Sequence, residues 1–167
     1  MKTIIASTLI SLLAACASYQ GRGLVAGQST AADVQASMGK PAEQRPGPNG
    51  ETVYYYPQLP WGHATYVARV GADGKLVAVE QRLTEDNIKK VVRGKTTMKE
   101  VRDLLGPPWE PLSRPTREIW TYPMRIPADP TPKWFVVQMS SDGIVREAFV
   151  MDDWQFVPKD SPGMRRP

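Results

Sequence analysis

The stretch Gly94-Lys95-Thr96-Thr97-Met98-Lys99-Glu100-Val101-Arg102-Asp103-Leu104-Leu105-Gly106-Pro107-Pro108 decides how the rest of the chain is read. Thr97 with Glu100 three residues on has the form of a capping box, which satisfies orphan amides at a helix start; Thr96 is the alternative N-cap. Met98, Val101, Leu104 and Leu105 recur at three- and four-residue spacing and share one helix face. Gly106 suits a helix stop, and the prolines after it bar continuation. The chain carries the same pattern earlier, from Gly27 to Pro41. Thr30 stands for Thr97, Asp33 for Glu100, Val34 for Val101, Met38 for Leu105, Gly39 for Gly106 and Pro41 for Pro108. That many matches at one offset of 67 residues (Thr30 to Thr97) argue for an internal repeat.

The repeat extends in both directions. Upstream, Leu24 and Val25 match Val91 and Val92, which close a segment over 84–93 with Thr84 as N-cap, acids in its first turn and bases in its last. Downstream, 41–50 reads as a loop rich in proline and glycine. Strands follow at 52–57 and 118–123, whose alternate aromatic positions mark one face: Tyr54 and Tyr56 in the first, Trp120 and Tyr122 in the second. Further strand pairs fall at 64–70 and 133–139, then at 76–83 and 144–151. Asp73-Gly74 and Asp142-Gly143 mark the hairpin turns between them. The unit is helix, helix, three-stranded antiparallel meander, used twice. The expected class is α+β, with one continuous antiparallel sheet of about six strands and helices packed on one face.

The amino terminus has a different character. Lys2, an apolar run over 4–13 and Leu13-Ala14-Ala15-Cys16 resemble a bacterial lipobox, in which the cysteine is acylated after the preceding peptide is cut. The run is short for a membrane span. An ordinary signal peptide that contains Cys16 is the alternative. The expected organisation is a signal over 1–15, a tether over 16–23, repeats over 24–83 and 84–156, and a disordered tail over 157–167. Cys16 is the chain's one cysteine, so an internal disulfide is excluded. By resemblance to the lipoprotein sorting rule, Ala17 after Cys16 favours the outer membrane, facing the periplasm. The formal net charge is +4, with Lys and Arg scattered among acids, which argues against nucleic-acid binding.

Gly94-x-Thr96-Thr97-x-x-Glu100-Val101-x-x-x-Leu105-Gly106-x-Pro108, then Trp120-x-Tyr122, then Asp142-Gly143, resembles the SmpA/OmlA (BamE-like) family of small outer-membrane lipoproteins. The resemblance covers Leu24 to about Leu83 and, more clearly, Val91 to Met151. It implies helices on an antiparallel sheet and a role in outer-membrane protein assembly or envelope integrity, with the barrel-assembly complex a possible partner. The best-known member carries one such unit; this chain carries two. Tandem units are similar to the β-lactamase inhibitor protein (BLIP-like) fold, which implies the alternative role of inhibitor or accessory lipoprotein of a periplasmic enzyme.

Catalysis finds little support in the residues. His63 is the one histidine and has no nearby ligand or nucleophile partner in sequence. Asp152-Asp153 lacks the spaced ligands of a calcium site and reads as a solvated pair. No catalytic spacing is present. A non-catalytic protein-binding module with no cofactor, no metal and no small-molecule substrate is the expectation. The candidate partner-binding residues are Tyr55, Trp61, Met124, Arg125 and Ile126. Tyr54-Tyr55-Tyr56 puts aromatics on both strand faces, so Tyr55 is expected to face solvent or a partner. Trp61 sits in a Pro/Gly loop and is the kind of anchor that interfaces use, with local packing as the alternative. Met124, Arg125 and Ile126 open the longer counterpart of that loop.

Overall fold

The computed structural model describes residues 20–153 and Gln155. The expected signal segment, Cys16, Trp154, Phe156 and the tail over 157–167 lie outside the described residues.

The architecture is α+β. The first half runs α1 (Ala31–Met38), β1 (Glu43–Pro46), β2 (Thr52–Pro57), β3 (Thr65–Val70) and β4 (Leu76–Gln81). The second runs α2 (Glu85–Ile88), α3 (Met98–Leu105), β5 (Trp109–Arg114), β6 (Arg117–Met124), β7 (Lys133–Ser140) and β8 (Val145–Asp152). The strands form two antiparallel four-stranded sheets, β1-β2-β3-β4 and β5-β6-β7-β8. The expectation of one continuous sheet is therefore corrected, as is the three-strand count per half. The added strands, β1 and β5, lie in segments with proline and charge rather than apolar alternation. Each forms by pairing on an edge, β1 against β2 and β5 against β6. The expected helix over 84–93 is a single capped turn, and no helix precedes α1 among the described residues.

Local geometry repeats as closely as the sequence does. Thr30 and Thr97 both cap their helices in full capping boxes, with Asp33 and Glu100 closing them. Gly39 and Gly106 end the helices at φ 83°, ψ −168° and φ 86°, ψ −170°, a region that only glycine occupies without strain. Thr30 bridges to Lys75, and Thr97 bridges to Ile144.

Each sheet packs one face on its own helix. Val34 and Met38 of α1 join Tyr54, Tyr56, Ala68, Val70 and Leu76 in one core. Val101 and Leu105 of α3 join Trp120, Tyr122, Met124, Phe135, Val137 and Met139 in the other. Helix α3 also reaches the first sheet's opposite face. The Tyr55 hydroxyl donates to the Asp103 carbonyl at 3.0 Å. A Cβ placed on Gly106 would lie 2.8 Å from Thr65 Cγ2 and 3.0 Å from Tyr55 Cδ1. Charge closes the same seam: Arg102 holds Glu43 with contacts of 2.8–3.0 Å, and Arg45 pairs with Asp103 at 2.9 Å. The Arg102 guanidinium also lies over the Trp120 ring at 5.6 Å.

Tyr55 is thus 2% exposed, not at the surface. Its side chain is covered because the second half supplies α3, a partner that reading one strand alone does not reveal.

Candidate binding site

The connection from β2 to β3 is short and closely folded. Gln58 N–H donates to the Ala64 carbonyl, and Gly62 N–H donates back to the Gln58 carbonyl at 2.6 Å. A Cβ on Gly62 would lie 2.4 Å from Gln58 Cβ, so this loop accepts no side chain there. Leu59 packs against the core of the second half, which fixes one end of the loop. Trp61 stands at its tip, 80% exposed. His63 follows in the left-handed region at φ 50°.

The loop lies against the second sheet. Pro60, Trp61 and His63 line a cavity of about 250 Å³ together with Trp109, Glu110, Pro123, Trp134, Asp153 and Gln155. Register explains the convergence. Pro123 pairs with Trp134 across β6 and β7, and Thr121 pairs with Trp109 across β5 and β6. These residues share the face turned away from α3, since Trp120, Tyr122 and Phe135 point into the core. Thr121 Oγ1 donates to the Trp109 carbonyl at 2.7 Å and holds the start of β5. Glu110 then takes φ 43° where the β5 register is irregular. Two of the three non-glycine residues at positive φ among the described residues therefore line this cavity.

Its polar groups are few and placed. Asp153 is buried, bonded through its amide to the Pro132 carbonyl, and its Oδ1 accepts from Gln155 N–H at 3.0 Å. Trp134 Nε1 is buried with no acceptor among the described residues. Burial pushes the His63 pKa down and Arg125 lowers it further, against the opposing effects of a hydrogen bond with the Trp61 backbone and of Asp153, so the neutral imidazole is favoured. No group of three or more His, Cys, Asp or Glu is placed to hold a metal among the described residues. The expected solvated pair Asp152-Asp153 is corrected in part. Asp152 is exposed and bonded to Lys133, whereas Asp153 is buried beside the cavity.

Comparison of the chain with protein-family models, characterised proteins and solved structures gives no significant match. The site itself carries the argument.

Of the five residues expected to meet a partner, the structure brings two to this place. Trp61 lines the cavity, and Arg125 is exposed and near enough to act on His63. Met124 is fully buried in the second core and Ile126 packs against that core. Met124 is held inward because β6 runs one residue past its expected end at 123, which puts Met124 on the same face as Trp120 and Tyr122; Ile126 lies beyond the strand. Tyr55 belongs to a second, larger cleft of about 660 Å³ between the first sheet and α3. Cations there are already matched: Arg69 with Glu51 and Glu80, Arg82 with Glu80, and Lys99 with Asp103. Sequence reasoning missed Trp109, Glu110, Trp134 and Asp153 as site residues. The one available signal was the number of tryptophans outside the predicted core face.

Proposed function

We propose that this chain is a two-repeat, lipid-anchored envelope protein of the SmpA/OmlA type that binds another envelope protein through the Trp61 loop and performs no chemistry on it. The observation that carries the reading is Trp61, an 80% exposed indole on a loop fixed by Leu59 and by internal hydrogen bonds. Interface anchors are enriched in tryptophan and gain most when a rigid scaffold presents them, because little side-chain and loop entropy is lost on binding. Trp109 and Trp134 behind it extend the apolar surface, and the exposed Arg125, near enough to act on His63, adds a charge in the neighbourhood. The duplicated capping boxes and matching glycine stops support two copies of one ancestral unit. Cys16 is the proposed acylation site and the outer membrane the proposed location, with components of the barrel-assembly machinery the first partners to test.

In-cell crosslinking from a photoreactive residue at position 61, and in parallel at Arg125, tests the partner. The expected result is an adduct with an outer-membrane assembly protein at both positions and its loss on addition of unlabelled wild-type chain. Adducts to a single periplasmic enzyme would replace this reading with that of an inhibitor. The absence of any specific adduct would overturn the site. For the anchor, Cys16→Ser is expected to move the protein out of the outer-membrane fraction; retention there would refute lipidation as its tether.

A further inference from the structure

A sheet edge presents unpaired amides and carbonyls, and proteins blunt such edges with short strands, proline, charge or a covering segment. Three of the four edges here are treated in this way. Strand β1 has four residues and ends in Pro46. Strand β5 contains Pro111 and an irregular register. Strand β4 is bonded at Leu76 to Gly27 and Ser29, and Val79 is in contact with Gly21 and Leu24.

Strand β8 is different. It has eight residues, Val145–Asp152, with neither proline nor lysine. Among the described residues its only strand neighbour is β7. Val145 is bonded to Gly94 and Thr96, and the register shift falls at that same end. From Glu147 to Asp152 the pairing with β7 is regular. Phe149, Val150 and Met151, three consecutive apolar side chains, are each at least 40% exposed. A regular edge with apolar side chains on both faces is a template for strand addition.

We infer that β8 pairs antiparallel with β8 of a second copy of this chain, joining two four-stranded sheets into one of eight. A twofold axis normal to the sheet keeps each face on its own side, so the axis must pass through a residue. Centring on Phe149 sets Phe149 against Phe149, Ala148 against Val150 and Glu147 against Met151, and it brings Asp152 of one copy, bonded to its own Lys133, toward Arg146 of the other, bonded to its own Asp142. Aromatic pairs and opposite charges at facing positions both favour that register. Centring on Val150 instead sets Glu147 against Asp153, a like-charge contact. Centring on Ala148 sets Glu147 against Phe149 and Arg146 against Val150. The chemistry of the strand therefore selects a second copy, and it selects the register.

The test uses the full chain with Cys16→Ser, so that an introduced cysteine is the only thiol. Directly opposed residues have Cα atoms about 4.5–5.5 Å apart, within disulfide reach. Phe149→Cys is expected to give a covalent dimer on mild oxidation, and Ala148→Cys much less of one. In sedimentation, the parent chain is expected at twice its monomer mass at tens of micromolar. Phe149→Lys is expected at monomer mass with the far-ultraviolet dichroism of a folded chain, and with a melting temperature that no longer depends on protein concentration. A monomeric parent chain would overturn the inference. So would a Phe149→Lys chain that still dimerises, or crosslinking of position 149 to a different protein in place of a second copy.

Discussion

Glu43 accepts hydrogen bonds from Arg45 in its own strand and from Arg102 in the other half of the chain. Burial acts to raise its pKa, but the hydrogen bonds and charges of Arg102 and Arg45 outweigh this and hold it below the ordinary glutamate value of 4.5. A carboxylate depressed in the fold adds stability that is complete above its unfolded pKa and is lost as pH falls through the folded one. Glu43→Gln should therefore destabilise the protein at pH 7, by about 1 kcal/mol for a partly exposed pair. The difference from wild type should shrink as the pH drops below 4.5 in urea melts. A gap that stays constant with pH would mean that packing, not charge, is what Glu43 supplies. The helix caps make a second residue-scale prediction. Thr97→Ala removes an oxygen that accepts the Glu100 amide and should cost about 1 kcal/mol. Thr30→Ala, at the equivalent box, should cost a similar amount in the same assay.

At the scale of elements, the two helix stops form a matched pair. Gly39 and Gly106 share a backbone conformation that costs a non-glycine residue about 1–3 kcal/mol. Their surroundings differ: a Cβ at Gly39 meets nothing within 4 Å, whereas one at Gly106 collides with Thr65 and Tyr55. Gly106→Ala should thus be the more destabilising by about 1–3 kcal/mol, the usual cost of overpacking, with the difference measuring the contact of α3 with the first sheet. Equal losses would show that this contact yields freely. These elements also show what a sequence reveals. Strands β2 and β6, the β3–β4 and β7–β8 turns and both capped helices were legible because aromatic alternation, Asp-Gly and Thr-x-x-acid are local signals. Strands β1 and β5 were not, since Glu43–Pro46 and Trp109–Arg114 have poor strand propensity and exist through pairing with a neighbour. The site shares that limit. Trp61 stood out by its loop, while Trp109 reaches the site through a strand the pattern did not announce and Trp134 through the outer face of one that it did.

At the scale of the whole molecule, the seam between the halves decides how it unfolds. Tyr55, Glu43 and Arg45 of the first half all engage Arg102 or Asp103 of α3. Four of the five tryptophans lie in the second half, so their fluorescence reports mainly on it, whereas far-ultraviolet dichroism reports on both. Coincident thermal transitions by the two probes are expected, the mark of one cooperative unit. A fluorescence transition displaced by several degrees would show two independently melting halves.

The placement of α3 sets an order of assembly. A polypeptide is made from its amino end, and domains acquire structure as their residues become available. The first sheet is complete in chain terms at Gln81, yet the lid on its Tyr55 side is not made until Gly106. For the interval in which those 25 further residues (106 − 81) are added, the newborn first half carries an uncapped aromatic surface. Whatever escorts the chain at that stage has to shield that surface and then yield it to a helix that has yet to arrive.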